Sequence, residues 1–312
     1  MRRIAAIDIG TNSVLLLVAE IDGGAARPLI ERATITRLGQ GVDKTRALAP
    51  EAIERTLACL RDYAVEIAER SVEEVIAVGT SAMRDAEGGA SFRASAKSIL
   101  GVEPRVASGD EEAELTFLGA LSGLSVEGEV VVFDIGGGST EIIIGDAPSP
   151  TIRAASSEAG LPKISLDVGS VRLTERHVRS DPPSTAEIEA IRADVRSALA
   201  RVPFRPRGKA VGVAGTVTTI AAFAKDVVPY DAARVHGMVL TAAEVDRAAA
   251  ELARLSLDER KRLPAIDPRR ADVIVAGAVL AAEILRFCGA DRMIVSDRGV
   301  RWGLVARALG SP

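Results

Sequence analysis

The sequence predicts an α/β protein built as two similar lobes, and three observations carry that expectation. Short Val- and Ile-rich runs alternate with helical apolar periodicity along most of the chain. The length of 312 residues exceeds what one core usually holds, because single cores stop growing at roughly 250 residues. A hairpin with a small-residue turn occurs twice: "AAIDIGTNSVLLLVAE" aligns with "VVFDIGGGSTEIIIGD", so that Asp8 meets Asp134, Gly10 meets Gly136 and Ser13 meets Ser139 at one offset (134 − 8 = 126). An offset of that size is far beyond solenoid periods and points to two copies of one opening unit.

In chain order, Ile4 to Ile9, Val14 to Glu20 and about Arg27 to Thr36 read as an antiparallel meander with Gly-containing turns. A helix is expected from Pro50 to Glu69, with Pro at its favoured N-terminal place, followed by the buried strand "EVIAVGT". Pro104 to Ala107 reads as a short strand. Ser108 or Asp110 then caps the helix of "SGDEEAELTFLGAL". The pattern restarts with strands at Glu129–Asp134, Thr140–Ile144 and Thr151–Ala154. Helices are expected at Leu161–His177 and Thr185–Ala200, the strand "AVGVAG" next, then helices at Val217–Ala224, Ala242–Leu255 and Arg269–Phe287. A strand "RMIVS" and a terminal helix close the chain, and "SDPPST" is a turn rather than a linker. Lobe I is therefore expected to comprise residues 1–123 with a C-terminal helix at about 297–312, and lobe II residues 124–296.

Apolar residues make up 47%, charged residues 26%, and the formal net charge is −4, the profile of an ordinary soluble globular protein. The slightly acidic balance and the lack of a long Lys/Arg block exclude a general nucleic-acid binder. With aromatics at only 3%, the core must come from Val, Ile, Leu and Ala. Cys59 and Cys288 sit in apolar helical patterns, so no disulfide framework is expected and a reducing cytoplasm is the simpler setting. Asp8 interrupts the apolar run of "MRRIAAIDIG" before a signal peptide could form. The run Val273–Leu285 is too short for a membrane span and contains Glu283, so it reads as a buried helix.

Asp8 and Asp134 are poor strand residues, because a buried carboxylate is costly unless it neutralises or finds a cation. At a strand's end such an acid can hold Mg²⁺, which favours hard oxygen ligands and keeps several waters. The glycines that follow, Gly136, Gly137 and Gly138 in the second copy, let the backbone approach an anion and aim N–H groups at it. Thr11, Asn12 and Ser13 in the first copy, with Ser139 and Thr140 in the second, add short polar side chains. Two such turns facing one another would grip a phosphate. P-loop and dinucleotide motifs are excluded because their glycines lead into a helix, whereas these lead into a strand. A plain tight hairpin with Gly for positive φ is the alternative, and two copies in register disfavour it. Glu141 breaks the symmetry, since the first copy has Leu15 in its place.

These segments, with "AVGTSAMRDA", "SGDEEAELTFLGA", "GVAGTVTTIAAF", "VHGMVLT" and "RRADVIVAGAVL" in the same order, resemble the exopolyphosphatase and guanosine pentaphosphate phosphohydrolase family of the actin, Hsp70 and sugar-kinase superfamily. The resemblance implies two ribonuclease-H-like lobes with an interlobe active-site cleft, Mg²⁺ as cofactor, and release of orthophosphate from polyphosphate or guanosine pentaphosphate. It also implies a homodimer. Longer members carry a further helical region resembling an HD-type metal phosphohydrolase; with only His177 and His236 available, this chain looks like the short form.

By the same resemblance Glu112 is the catalytic glutamate, Glu141 the second catalytic acid, Asp134 a metal ligand and Arg84 a phosphate contact. The residues alone leave Glu111 and Glu112 undecided, since either suits the first turn of a helix. The expected mechanism makes Glu112 the general base for water. Asp134, Glu141 and Asp8 hold Mg²⁺ directly or through water, and Thr11–Ser13, Gly136–Ser139 and Arg84 hold the transferring phosphoryl group. His236, Gly237, Gly215 and Thr216 match family positions but receive no chemistry. The cluster Arg201–Lys209 reads as a solvated loop, and His177 as a complement to a helix dipole. Two competing readings remain: a sugar kinase or actin-like ATPase, and a catalytically silent sensor of phosphorylated nucleotides.

Overall fold

The computed structural model describes residues 2–22, 25–79, 83–84, 86–147 and 162–310. The expected strand Thr151–Ala154 and the residues Thr80, Ser81, Ala82 and Asp85 around Arg84 lie outside them. The chain divides into two compact units, Met1–Gly119 with Val300–Pro312, and Ala120–Gly299.

The first unit holds strands β1 (Arg2–Ile9), β2 (Ser13–Asp22), β3 (Ala25–Ile35), β4 (Glu74–Gly79) and β5 (Arg105–Val106) in the order β3-β2-β1-β4-β5. The first three are antiparallel, and β4 and β5 run parallel to β1. Because side chains alternate along a strand, β1 and β2 feed two separate cores. Ile7, Ile9, Leu16 and Val18 pack with Leu60 of the helix Pro50–Glu69 and Phe92 of the helix Gly89–Leu100. Ala6, Leu17 and Ala19 pack with Leu115 of the helix Gly109–Leu121 and with Trp302 and Leu304 of the helix Val300–Gly310. The C-terminal helix thus covers the sheet that the N-terminus begins.

The helix Gly89–Leu100 has no counterpart in the sequence reading. Ser and Lys break its apolar pattern, yet Phe92, Ala96 and Leu100 fall four apart on one buried face. Gly303 sets how closely the terminal helix approaches its neighbour, since a Cβ there would stand 1.9 Å from the backbone oxygen of Leu115. Gly303→Ala is expected to cost about 2 kcal/mol by overpacking, read as a lowered urea midpoint with an unchanged slope.

The second unit repeats the arrangement. Its strands β6 (Gly128–Ile135), β7 (Thr140–Ala147), β8 (Lys163–Leu166), β9 (Lys209–Val213), β10 (Val239–Thr241) and β11 (Arg292–Val295) lie in the order β10-β11-β9-β6-β7-β8. Three antiparallel strands are again followed by two parallel ones, with β10 added antiparallel at the edge. The turns superimpose in register as well: Asp8 faces Leu15 across its hairpin, and Asp134 faces Glu141. Phe133 and Ile142 anchor a large core with the helices Thr185–Leu199, Ala214–Ala224, Ala242–Arg254 and Ile274–Cys288. The last of these is buried from Ile274 to Leu285. Its Glu283 is held by Arg192, Arg196 and Arg286, the partners a buried carboxylate needs. No helix among the described residues is long and apolar enough to cross a membrane.

Three expectations need correction. The helix expected over Leu161–His177 is a strand at Lys163–Leu166 followed by a helix only from Ser170 to His177. Ile164 and Leu166 alternate toward the core, and the edge of β7 supplies the backbone partners that a helix would otherwise provide internally. The strand "AVGVAG" ends at Val213, where Ala214 takes a left-handed φ of 70° and starts the next helix three residues before the expected Val217. The helix expected from Arg269 begins at Ile274, after a 3₁₀ turn at Pro268–Arg270 capped by the Asp267 side chain.

Candidate active site

The glycine turn of the second unit is held from behind. The carbonyl oxygen of Gly136 accepts from Ser170 N at 3.0 Å, and that of Gly137 accepts from Val171 N at 2.9 Å and Arg172 N at 3.1 Å. These donors are the first amides of the helix Ser170–His177, which have no partners within their own helix. One arrangement therefore satisfies the helix start and rotates the turn's carbonyls toward it. Gly136 lies outside the left-handed region, so positive φ is not its reason for being glycine. Gly137 and Gly138 are buried, and among the described residues their N–H groups donate to no protein acceptor. Adjacent buried donors left unpaired are rare unless an anion takes them.

The first unit holds its turn in the same way. Gly10 N donates to Ser13 O at 2.9 Å, as Gly136 N does to Ser139 O at 3.1 Å. The carbonyls of Thr11 and Asn12 accept from Gly39 N at 2.9 Å and from Thr36 N and Arg37 N at 3.0 Å. In both units the segment after the third strand thus anchors the turn. Thr11 and Asn12 are buried, and the Asn12 Oδ1 has no hydrogen-bond partner among the described residues.

Asp8 and Asp134 end equivalent strands, with Asp8 buried and Asp134 half-buried. Glu141 is 2% exposed and lies directly across the hairpin from Asp134. Both acids point away from the core face that carries Phe133 and Ile142. Among the described residues no group of three or more His, Cys, Asp or Glu is placed to hold a metal. Two neighbouring carboxylates nonetheless fit Mg²⁺, which is commonly held by one or two protein acids together with water and substrate phosphate. Thr140, expected to add a polar side chain there, faces the opposite side with Ile142, and its Oγ1 donates to Val168 O at 2.6 Å.

The structure separates Glu111 from Glu112. Glu111 receives two 2.8 Å bonds from Arg105 and one of 2.7 Å from Arg307. The Arg105 bonds hold its carboxyl below the usual range against the opposing effect of burial, and Arg307 adds to the lowering. Glu112 is buried instead, 3.3 Å from Arg84 Nη1, which also donates to Ala107 O at 3.1 Å. Glu111 is thus engaged in holding its helix to the C-terminal one. Glu112 pairs with the arginine that the family resemblance marks as a phosphate contact.

Three residues absent from the sequence reading stand at these sites. Gly169 precedes the helix that holds the glycine turn, and Ser165 bonds Glu141. Both were hidden by reading Leu161–His177 as one helix. Arg270 lies across Gly215, where a Cβ would stand 2.3 Å from its Nη1. That contact joins residues far apart in sequence and left no local signal.

The remaining candidates take structural places. His177 Nε2 is 2.8 Å from Asp194, and His236 Nδ1 is 2.9 Å from Asp297. Cys59 and Cys288 are free, and burial pushes both thiols up, Cys288 to about 12. The cluster Arg201–Lys209 leads into the start of β9, the end of the strand opposite Val213, which pairs with Asp134.

Comparison with known proteins agrees with this geometry. The chain is 39% identical to exopolyphosphatase 2 of Mycobacterium tuberculosis, with 99% of each covered. A crystal structure of an exopolyphosphatase-like protein matches with a TM-score of 0.91 at 34% identity, over 98% of this chain and 97% of that one. The Aquifex aeolicus member of the Ppx/GppA family matches with a TM-score of 0.81 at 36% identity, over 99% and 97%. The two mixed sheets are those of the actin-like superfamily to which these structures belong. With residues 17–311 matching the model of the Ppx/GppA phosphatase family, and with the duplicated turn and its acids in place, the chain belongs to that family.

Proposed function

We propose that this protein is a Mg²⁺-dependent phosphoanhydride hydrolase that releases orthophosphate from inorganic polyphosphate, with guanosine pentaphosphate as a second substrate. The observation that carries the reading is the pairing of buried, unpartnered amides at Gly137 and Gly138 with two acids in register beside them. The polyphosphate assignment draws on the exopolyphosphatase relative. The proposal extends to a cytoplasmic homodimer, on the family resemblance and the cysteine content.

A phosphoanhydride has a good leaving group, so positioning and charge neutralisation matter more than a strong acid. In the second unit the amides of Gly137 and Gly138 bind phosphoryl oxygens of the substrate, and in the first unit the family resemblance gives the same role to the turn of Thr11, Asn12 and Ser13 and to Arg84. A carboxylate oxygen of Glu112 accepts the proton of the attacking water as its oxygen bonds to phosphorus and the bridging bond breaks. Asp134, Glu141 and Asp8 would hold Mg²⁺, which supplies charge neutralisation at the phosphates when bound.

The test is orthophosphate release from long polyphosphate and from guanosine pentaphosphate, before and after chelation. Release is expected to stop with EDTA and return with Mg²⁺. ADP formation only on addition of a sugar would instead establish a kinase, and tight nucleotide binding without turnover a sensor.

A further inference from the structure

Three adjacent strands place Asp134, Glu141 and Ser165 side by side, since Asp134 pairs with Glu141 and Glu141 with Ser165. All three point away from the face that carries Phe133, Ile142 and Leu166. Ser165 Oγ donates to Glu141 Oε1 at 2.8 Å. The corresponding row in the first unit reads Asp8, Leu15 and Ala33. The repeat therefore keeps its aspartate in both units but carries the acid and the hydroxyl together in one and neither in the other.

We propose that Ser165 is a positioning residue that fixes the Glu141 carboxylate for the reaction. The inference rests on the reading of Glu141 as an active-site acid. Glu141 is almost fully buried, whereas Ser165 lies exposed on the edge strand β8, so solvation alone would satisfy the serine without this bond. The last torsion of a glutamate is intrinsically broad, so each hydrogen bond its carboxylate accepts narrows the orientations open to it. A donor bonded to one oxygen fixes the plane of the group and leaves the direction of the other defined. Groups of this kind behind an acid at a metal site commonly change affinity or activity by tenfold or more.

The experiment compares wild type, Ser165→Ala, Ser165→Thr and Glu141→Gln as full-length chains. It measures kcat and KM for orthophosphate release from polyphosphate, and Mg²⁺ binding to the substrate-free protein by calorimetry. Ser165→Ala is expected to lower kcat about tenfold with KM within about twofold, and to weaken Mg²⁺ binding about tenfold. Ser165→Thr, which keeps the hydroxyl and suits a strand, is expected to restore both. The proposal is overturned if Ser165→Ala matches wild type in kcat and Mg²⁺ affinity while Glu141→Gln is inactive, or if Ser165→Thr fails to restore what alanine loses. Wild-type turnover in Glu141→Gln would remove the reading of Glu141 itself, and this proposal with it.

Discussion

Glu112→Gln is expected to lower kcat for orthophosphate release by about a thousandfold, close to 4 kcal/mol of lost transition-state stabilisation. The amide keeps the size of the side chain and can still meet Arg84, 3.3 Å away, so folding should survive while the proton acceptor is lost. Glu111→Gln is the matched control one residue away. It should leave kcat within about threefold and cost about 1 kcal/mol of stability, because its partners Arg105 and Arg307 tie the helix Gly109–Leu121 to the terminal helix. The two effects also differ with pH. The Glu111 carboxyl is held below its ordinary range in the folded chain, so its contribution is complete above that range and is lost as pH falls through the depressed value. Acid unfolding of Glu111→Gln should therefore converge on wild type at low pH. Wild-type turnover in Glu112→Gln would exclude this residue as the base.

Gly169→Ala is expected to reduce kcat/KM about a hundredfold. Gly169 has an extended backbone with φ −153°, which any residue can adopt, so the substitution introduces no torsional strain. What it introduces is a methyl group 2.5 Å from Gly137 O and 2.6 Å from Gly137 C. Backbone cannot swing aside as a flexible side chain can, and restoring contact distance requires the turn to move by roughly 1 Å, a displacement that costs about a hundredfold at a reacting centre. The change should appear in kinetics while the far-UV circular dichroism spectrum stays that of wild type. A kcat/KM within threefold of wild type would show that the glycine turn does not hold the reacting phosphate.

The family and the α/β class were legible because their signals are local and repeated. Strand alternation, the Asp-Ile-Gly turns and their offset of 126 residues survive in a one-dimensional reading. The strand at Lys163–Leu166 was not, because a four-residue run has too little periodicity to compete with the helical pattern that follows it. Ser165 and Gly169 were lost with that strand. Arg270 was lost for another reason, since its meaning comes from the backbone of Gly215 more than fifty positions earlier.

Residue order alone sufficed to establish a duplicated hairpin, the kinds of side chain at its turn, and the absence of a matching glutamate in the first copy. Which of two adjacent acids is engaged by arginines at its helix, which way the glycine carbonyls turn, and which hydroxyl meets Glu141 depended on contacts between segments distant along the chain. Those contacts follow from the filling of the cores and the satisfaction of buried backbone groups, which are conditions on the whole folded chain and leave no mark in any short window of it.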